Sequence, residues 1–365
     1  MIRVGLLGFG LGGRVLHAPL ISSVEGLELA AVLERTSNKA AERYPGITVY
    51  RSLPEMLADT SLSLFVVSTP SGTHYALAKE ILSASRDVGR GPSSGLIRGL
   101  VIDKPMTVTS AQAAELIALA REHNVLLAPF HNRRWDSDFL TVQKLINEGS
   151  LGRLVSFEST LDRWRLSTRV PWKDDPAQGG GNLLDHATHL ADQALVLFGL
   201  PQGVSAEVRR ERDGEGADDA FTLRLRYPGV AVTVAANSLA TLPRPRFLLR
   251  GTSGNYLKSG VDPQEAALNK ITRIADPNWG QEPSANWGIL NIGIDGGSIS
   301  RPVPAIPGDY RLYYAGIRDA LLGKSAPPVS GIDAWHVARL LEWAQQSSDE
   351  RREIACDWSE EPELP

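Results

Sequence analysis

The apolar and polar positions of the first third of the chain alternate between two patterns. Short runs that are almost wholly apolar are each followed by segments in which apolar residues recur every three or four positions. Such runs are typical of strands buried on both faces of a parallel sheet, and such segments of amphipathic helices. The pattern therefore predicts an α/β, doubly wound parallel sheet. Its predicted strands cover residues 4–7, 27–33, 48–50, 62–67, 99–103 and 125–129.

The pattern changes after Phe130. Two predicted helices, 136–148 and 183–198, accompany segments in which single apolar and polar residues alternate, and this alternation predicts an open, mostly antiparallel sheet. These segments are 154–161, 204–209, 220–227, 230–236 and 246–251, followed by an irregular stretch at 262–307 and two helices at 310–322 and 332–346. A chain of 365 residues usually divides into more than one core. We therefore expect an N-terminal domain over 1–129 and a C-terminal α+β domain over 130–365.

A glycine-rich turn, Gly8-x-Gly10-x-x-Gly13, follows the first predicted strand and precedes a helical pattern over 14–21. In that context the spacing predicts a Rossmann dinucleotide-binding site. Gly8 allows the tight turn, Gly10 lets the backbone approach a pyrophosphate, and Gly13 lets the helix pack closely on the strand. A turn that binds nothing is the alternative, but Glu34 follows the second strand at about the interval expected for a ribose-binding acid.

The residues after the second strand leave the choice of cofactor open. Glu34 favours NAD, because a carboxylate accepts hydrogen bonds from the ribose 2′-hydroxyl and repels a 2′-phosphate. Arg35, with Thr36, Ser37 and Lys39, favours NADP, because a guanidinium can clamp that phosphate and stack on adenine. Our hypothesis is that Glu34 turns outward and lets Arg35 bind NADP.

Composition narrows the class of protein further. A net charge of −4 gives no electrostatic footprint for nucleic acid or an anionic membrane, and no apolar run is long enough to span a bilayer. The single cysteine, Cys356, cannot form an intrachain disulfide, and no Cys/His cluster indicates a metal. We therefore expect a cytoplasmic protein with no metal, nucleic-acid or membrane partner.

Two stretches carry candidate chemistry. Lys104, after the fifth strand, can hydrogen-bond a substrate hydroxyl or move its proton, although lysines in that position are commonly only solvated. Asp185 and His189 are four residues apart, so that on a regular helix the carboxylate can orient the imidazole; a surface pair is the alternative. Asn182 is a candidate N-cap, and Asp192 continues the same face as a structural residue. His186 is expected to point elsewhere.

Five stretches occur in an order and at spacings that resemble the Gfo/Idh/MocA oxidoreductase family, most closely its branch of NADP-dependent scyllo-inositol dehydrogenases. They are GFGLGGRVLHAPL (8–20), TPSGTHY (69–75), DKP (103–105), HNRRWDSDFLT (131–141) and GGG-x-x-x-D-x-x-x-H (179–189). The resemblance implies a Rossmann domain, an α+β domain whose open sheet carries dimer contacts, and a substrate held between them. It differs at Ala187, where the family usually has glycine, in the long segment 86–98, and at Glu34-Arg35.

The resemblance also implies roles for individual residues. It makes Lys104, Asp185 and His189 the catalytic set and adds Arg133, Arg163 and Trp172 to the substrate pocket. For Arg163 and Trp172 the alternatives are a surface salt bridge and an ordinary packed aromatic residue. Together with the motif arguments, the cofactor contacts are expected to be Gly8, Gly10, Leu11, Gly13, Glu34, Arg35, Thr69, Pro70, His74, Asp103, Lys104 and Asn132.

The predicted activity is hydride transfer between nicotinamide and a secondary alcohol or ketone of a cyclic polyol or sugar. In the oxidation direction His189, oriented by Asp185, takes the hydroxyl proton while Lys104 hydrogen-bonds the same oxygen, or the two exchange roles. A same-family enzyme for an aldose, dihydrodiol or anhydro sugar is one alternative. Another is a non-catalytic, dinucleotide-binding sensor on the same fold. A homo-oligomer, dimer or tetramer, is expected.

Overall fold

The N-terminal part of the chain forms a six-stranded sheet in which every neighbouring pair is parallel. The strand order is β3-β2-β1-β4-β5-β6, so the chain reverses its direction of travel across the sheet between β1 and β4. Ligands of such sheets bind beyond the carboxyl ends of the strands at this switch point. The strands are β1 (Ile2–Leu7), β2 (Leu27–Leu33), β3 (Thr48–Tyr50), β4 (Leu64–Val67), β5 (Gly99–Asp103) and β6 (Leu126–Phe130).

Helices connect these strands, as the apolar periodicity predicts. In this computed structural model residues 1–85, 97–167 and 170–363 are described, so the predicted surface loop at 86–98 lies outside them except for its last two residues. The N-cap of the fifth helix is Thr109, whose side chain accepts from the backbone N of Gln112. The helices are α1 (Ala18–Ile21), α2 (Lys39–Arg43), α3 (Leu53–Leu57), α4 (His74–Ala84) and α5 (Ser110–Glu122).

The C-terminal part forms a nine-stranded sheet of order β14-β13-β12-β11-β7-β10-β9-β8-β15. Neighbours are antiparallel except for the pair β10 and β7, which is parallel. The predicted fold class, a Rossmann domain followed by an α+β domain with an open and mostly antiparallel sheet, is confirmed. The strands are β7 (Leu154–Thr160), β8 (Gly203–Arg209), β9 (Ala220–Tyr227), β10 (Val230–Asn237), β11 (Phe247–Gly251), β12 (Gly254–Lys258), β13 (Gly288–Ile294), β14 (Gly297–Val303) and β15 (Ile354–Ala355).

The prediction that 262–307 is irregular is wrong for its second half. Strands β13 and β14 form a hairpin there, with Ile294 paired to Gly297 across the two-residue turn Asp295-Gly296. Gly296 has φ +76°, a conformation that glycine adopts without strain. An Asp-Gly pair between alternating apolar residues is a strong hairpin signal, so the sequence contained the information.

Helices of the C-terminal part pack on both sheets. Helix α9 (Arg311–Leu321) brings Tyr313, Tyr314 and Ile317 into the core of the first sheet, where the ring of Phe130 lies 4.8 Å from that of Tyr313. A boundary at 129/130 stays a prediction, because α9 packs back onto the earlier domain. The remaining helices are α6 (Ser137–Asn147), α7 (Thr188–Phe198), α8 (Gln264–Leu268), α9 (Arg311–Leu321) and α10 (Gly331–Glu350). Within the described ranges, no helix has the length and apolar character needed to cross a membrane.

Candidate active site

A cavity of about 560 Å³ lies at the carboxyl ends of β1, β2, β4 and β5, between the parallel sheet and the segment 163–189 of the C-terminal part. It brings together almost all of the predicted site residues. Its lining includes Gly8, Gly10, Leu11, Glu34, Arg35, Thr69, Pro70, Asp103, Lys104, Asn132, Arg133, Arg163, Trp172, Asp185 and His189. Gly13 and His74 lie outside the lining, for reasons given below.

The glycine turn has the shape that a dinucleotide requires. A Cβ on Gly13 would lie 2.1 Å from the carbonyl oxygen of Gly8, so Gly13 allows the close packing of the following helix. Gly8 has φ +92°, and its Cβ would lie 2.4 Å from the carbonyl oxygen of Ser68. A Cβ on Gly10 would meet no atom within 4 Å, since this residue faces the open cavity. Bare backbone beside open space, followed directly by a helical turn over 12–17, fits a bound pyrophosphate.

Glu34 is buried and does not turn outward, contrary to the hypothesis above. Its Oε1 accepts a hydrogen bond from the Ser37 hydroxyl, and its Oε2 accepts one from the backbone N of Ala40, 2.8 Å away. The carboxylate therefore caps the start of α2, where the helix dipole favours negative charge. Arg35 and Thr36 are exposed at the cavity wall.

His74 and Asp103 organise the loops behind the cofactor cleft. His74 is buried, with Nδ1 2.8 Å from the Pro105 carbonyl oxygen and Nε2 2.8 Å from that of Thr69. It braces those two loops, and its role as a cofactor contact stays a prediction. Asp103 accepts from the Ser68 hydroxyl at 3.1 Å and lies 3.4 Å from His17 Nε2. Burial would raise the pKa of Asp103, but His17 and neighbouring cations hold it well below its ordinary value.

The predicted catalytic residues all line the cavity. Lys104 Nζ donates to the carbonyl oxygen of Asp185 at 2.7 Å and to its Oδ1 at 2.5 Å. The other carboxylate oxygen, Oδ2, accepts from Lys173 Nζ at 2.7 Å. His189 is buried, and its Nδ1 has no hydrogen-bond partner among the described residues. The expectation that Asp185 hydrogen-bonds and orients His189 is therefore wrong, since that carboxylate pairs with two lysines.

The local helix geometry explains this outcome. Residues Leu183–Ala187 form a π-helical turn before α7, and a π-turn is wider than an α-turn, so the four-residue spacing no longer places two side chains directly above one another. The same turn brings His186 into the cavity lining, although the sequence pattern predicted that this side chain points elsewhere. Asn182 is not a side-chain cap, because its Nδ2 donates to Ser238 Oγ at 3.0 Å and to a backbone carbonyl. Asp218 Oδ2 caps the turn instead, accepting from the backbone N of Leu183 at 2.7 Å.

Burial sets the protonation of these groups. It would raise the pKa of Asp185, but the ammonium groups of Lys104 and Lys173 hold it well below its ordinary value. It lowers the pKa of Lys104, against the opposing pull of Asp185. Burial, with the charges of Lys104 and Arg133, also lowers the pKa of His189 well below that of free imidazole. The cavity thus places a neutral imidazole and an ammonium group whose pKa is below its ordinary value in the same lining.

The other predicted pocket residues differ in how they are held. Arg133 is buried and pairs with Asp136 and Glu265, each at 3.1 Å, while Arg163 lines the cavity half-buried. Asp192 is structural, as expected, since both its oxygens accept hydrogen bonds from Arg134. In the ranges that the structure describes, no three His, Cys, Asp or Glu side chains are arranged to hold a metal ion.

Lys173 and His186 are site residues that sequence reasoning missed. Lys173 lies in the short helical turn Pro171–Asp174, a loop whose sequence has no periodicity to indicate which way a side chain points. His186 follows the catalytic candidate Asp185 directly, and only the π-turn brings both toward one cavity.

The parallel sheet with its glycine turn, and the segment 163–189 of the C-terminal part that closes the cavity, define a dinucleotide-dependent oxidoreductase. Residues 2–131 match the model of the oxidoreductase family with an NAD-binding Rossmann fold, and residues 139–257 match that of the GFO/IDH/MocA C-terminal domain. The chain belongs to the Gfo/Idh/MocA oxidoreductase family and is an NAD(P)-dependent dehydrogenase or reductase.

Relatives and solved structures resemble the chain over nearly its whole length. The oxidoreductase YdgJ of Escherichia coli (strain K12) is 38% identical over 350 residues, which cover 96% of this chain and 97% of YdgJ. The scyllo-inositol 2-dehydrogenase (NADP(+)) IolW of Bacillus subtilis (strain 168) is 32% identical, over 98% of this chain and 96% of IolW. The structure of the oxidoreductase YPO2259 from Yersinia pestis superposes with a TM-score of 0.89 at 39% identity, covering 98% of this chain and 97% of that one.

Proposed function

We propose that this enzyme interconverts a secondary alcohol and a ketone in a cyclic polyol or sugar, with NADP as the preferred cofactor. The observation that carries the proposal is the cavity in which Lys104, Asp185 and His189 meet beside the glycine turn. A relative that spans nearly the whole chain, IolW, is a scyllo-inositol 2-dehydrogenase, which supports the substrate class.

The preference for NADP rests on the groups after β2. Because the Glu34 carboxylate is buried and capped onto α2, it does not stand free to accept hydrogen bonds from a ribose 2′-hydroxyl. Arg35 and Thr36 are exposed beside it, and Lys39 also lines the cavity, so a 2′-phosphate would meet positive charge and hydroxyl donors. NADP(+) in the name of IolW is consistent with this proposal.

The chain's own task in the reaction is to move a proton. Bound nicotinamide would accept the hydride from the substrate carbon, or return it in the reverse direction. His189, neutral because of its burial, accepts the hydroxyl proton during oxidation, and Lys104 donates a hydrogen bond to the same oxygen and stabilises its negative charge. The alternative is that Lys104 is the proton acceptor and His189 the donor of the hydrogen bond.

The activity is tested by absorbance of NADPH and NADH with purified protein, both oxidised cofactors, and scyllo-inositol, myo-inositol, glucose and xylose. We expect reduction of NADP with at least one cyclic polyol or sugar, and its loss in Lys104→Ala with dinucleotide binding retained. Oxidation of glucose or xylose at the anomeric carbon alone would instead favour the alternative of a same-family enzyme for an aldose. Dinucleotide binding without turnover of any polyol or sugar would overturn the proposal and favour the sensor.

The cofactor preference is tested separately by fluorescence titration with NADPH and NADH. Arg35→Ala is expected to weaken NADPH binding about 10- to 100-fold, the worth of one or two charge-assisted hydrogen bonds, and to leave NADH binding unchanged. Glu34→Gln is the matched control, because its amide can still accept from Ala40. Equal loss of both cofactors in Arg35→Ala, or tighter binding of NADH than NADPH by the wild type, would refute the preference.

A homo-oligomer built on the second sheet completes the proposal. Leu257 and Ile289 are paired across β12 and β13, so they share one face of the sheet, and they are 40% and 41% exposed. Exposed apolar side chains grouped on one sheet indicate a surface that another copy covers. Light scattering on the wild type is expected to give a dimer or tetramer, and Ile289→Lys to give smaller species. A monomeric wild type would exclude this contact.

A further inference from the structure

One carboxylate in the cavity is shared by two lysines from different parts of the fold. Lys104, at the end of β5, donates to Asp185 Oδ1, and Lys173, from the turn Pro171–Asp174, donates to Oδ2 at 2.7 Å. The side chains of Lys104, Lys173 and Asp185 are 16%, 33% and 26% exposed. Both ion pairs are therefore partly shielded from water. Ion pairs in such a partly buried place are stronger than those on the exposed surface.

Lys173 restricts what Asp185 can do. An ammonium group has three N–H donors, and Lys104 gives one to the Asp185 carbonyl and one to Oδ1. Its third donor remains for a ligand in the cavity. A carboxylate without a second partner is free to rotate and to offer both oxygens to Lys104, and Lys173 prevents this by holding Oδ2.

We propose that Lys173 is a positioning residue, which fixes the Asp185 carboxylate so that Lys104 keeps one donor directed at the reacting oxygen of the substrate. This inference rests on the proposed function, in which Lys104 touches that oxygen. Lys173 itself acts through Asp185 and does not touch the reacting atoms.

The backbone around Lys173 is built into the same unit. Its carbonyl oxygen accepts from the backbone N of Gly181 at 3.0 Å, and a Cβ on Gly180 would lie only 2.6 Å from that oxygen. The glycine run before Asp185 thus allows the Lys173 turn to press against the start of the catalytic helix. The Lys173 Nζ also lies 5.5 Å from the centre of the Trp172 ring, within range of a cation–π contact. Lys173 is accordingly held in place, unlike a solvated surface lysine.

Lys173 also affects the acidity of Lys104. The ionisable groups that act on Lys104 or are acted on by it are Asp103, Lys173, Asp185, His186 and His189. Burial lowers the pKa of Lys104, Asp185 raises it, and the charge of Lys173 lowers it further. Removing Lys173 leaves Asp185 to stabilise the Lys104 ammonium alone, so the pKa of Lys104 should rise.

The test measures the pKa of Lys104 without substrate or cofactor. The protein is held at a series of pH values, and at each pH a brief pulse of acetic anhydride labels amines that are neutral. Peptide mass spectrometry then gives the labelled fraction of Lys104, whose midpoint against pH is the pKa of this residue. The midpoint is expected to rise in Lys173→Met and to return toward the wild-type value in Lys173→Arg. Arg165→Met is the matched control, because Arg165 lines the same cavity without bonding Asp185. The labelling midpoint of Lys104 should not move in this variant.

Kinetics give the second readout. In Lys173→Met we expect kcat to fall by at least tenfold with little change in KM. The limb of the wild-type pH–rate profile whose midpoint matches the labelling midpoint of Lys104 should move upward together with that midpoint. An unchanged midpoint in Lys173→Met would refute the proposal. If that variant does not bind NADPH or is not folded, Lys173→Gln takes its place with the same expectation. A shifted midpoint in a protein that turns over no polyol or sugar would contradict the proposed function and leave the positioning role standing.

Discussion

Two glycines of the dinucleotide turn are expected to fail in opposite ways when each becomes alanine. At Gly13 the new Cβ would lie 2.1 Å from the Gly8 carbonyl oxygen, and real Cβ atoms essentially never come within 3.0 Å of another heavy atom, so the helix or the strand must move by about 0.9 Å. At Gly10 the new Cβ meets no protein atom within 4 Å. The first change affects the fold itself, and the second affects only what enters the cavity.

The magnitudes follow from these distances. Overpacking of this kind costs about 1–3 kcal/mol of unfolding free energy, so Gly13→Ala should lower the unfolding temperature by a few degrees without any ligand. Gly10→Ala should unfold at the wild-type temperature. Because its methyl group occupies space beside the predicted pyrophosphate, it should weaken NADPH binding at least tenfold.

Thermal unfolding with and without NADPH, together with a fluorescence titration, separates the two effects. The wild type is stabilised by NADPH through mass action, and Gly10→Ala should lose most of that stabilisation while keeping its ligand-free unfolding temperature. Wild-type NADPH affinity in Gly10→Ala would show that the backbone of Gly10 does not approach the cofactor. Wild-type stability in Gly13→Ala would refute the packing argument.

Two further predictions concern buried charge. Lys258 and Glu282 pair at 2.8 Å, and their side chains are each about 1% exposed. Lys258→Met should therefore lower the free energy of unfolding by about 3–5 kcal/mol, because it leaves the Glu282 carboxylate buried without its partner. Adding Glu282→Gln should recover most of this loss, and no recovery would contradict the pairing. Burial lowers the pKa of His186 and His189 well below 6.5, so only the unfolded chain takes up these protons as the pH falls through that value. The unfolding temperature should therefore fall between pH 7 and pH 5, and should fall less in His186→Asn; an equal fall in both proteins would exclude His186 as a cause.

The residues that the sequence located correctly are those fixed by local geometry. The apolar runs and the spacing of Gly8, Gly10 and Gly13 predict the parallel sheet and its dinucleotide turn, because a strand, a tight turn and a helix are determined over short stretches of chain. Lys104 was found for the same reason, since the end of a parallel strand has a known place in the fold.

What depends on contacts between distant segments could not be obtained in this way. The hairpin of β13 and β14 does not belong to this group, because it is a local feature. Its Asp295-Gly296 turn is a hairpin signal in the sequence, and the prediction of an irregular stretch overlooked it. The inward capping of Glu34 depends on where α2 begins, and the bracing by His74 depends on two loops that meet only in the folded chain.

Local patterns were sufficient to predict the fold class, the cofactor cleft and the presence of Lys104, Asp185 and His189 in the cavity, because strand, turn and helix signals are local. The contacts among those residues depend on the folded chain. Asp185 pairs with Lys104 and Lys173 and not with His189, because a π-turn changes the face of the helix and a loop without periodicity brings the second lysine into the cavity. Side-chain partners across 81 positions of chain are fixed by packing, which no local pattern records.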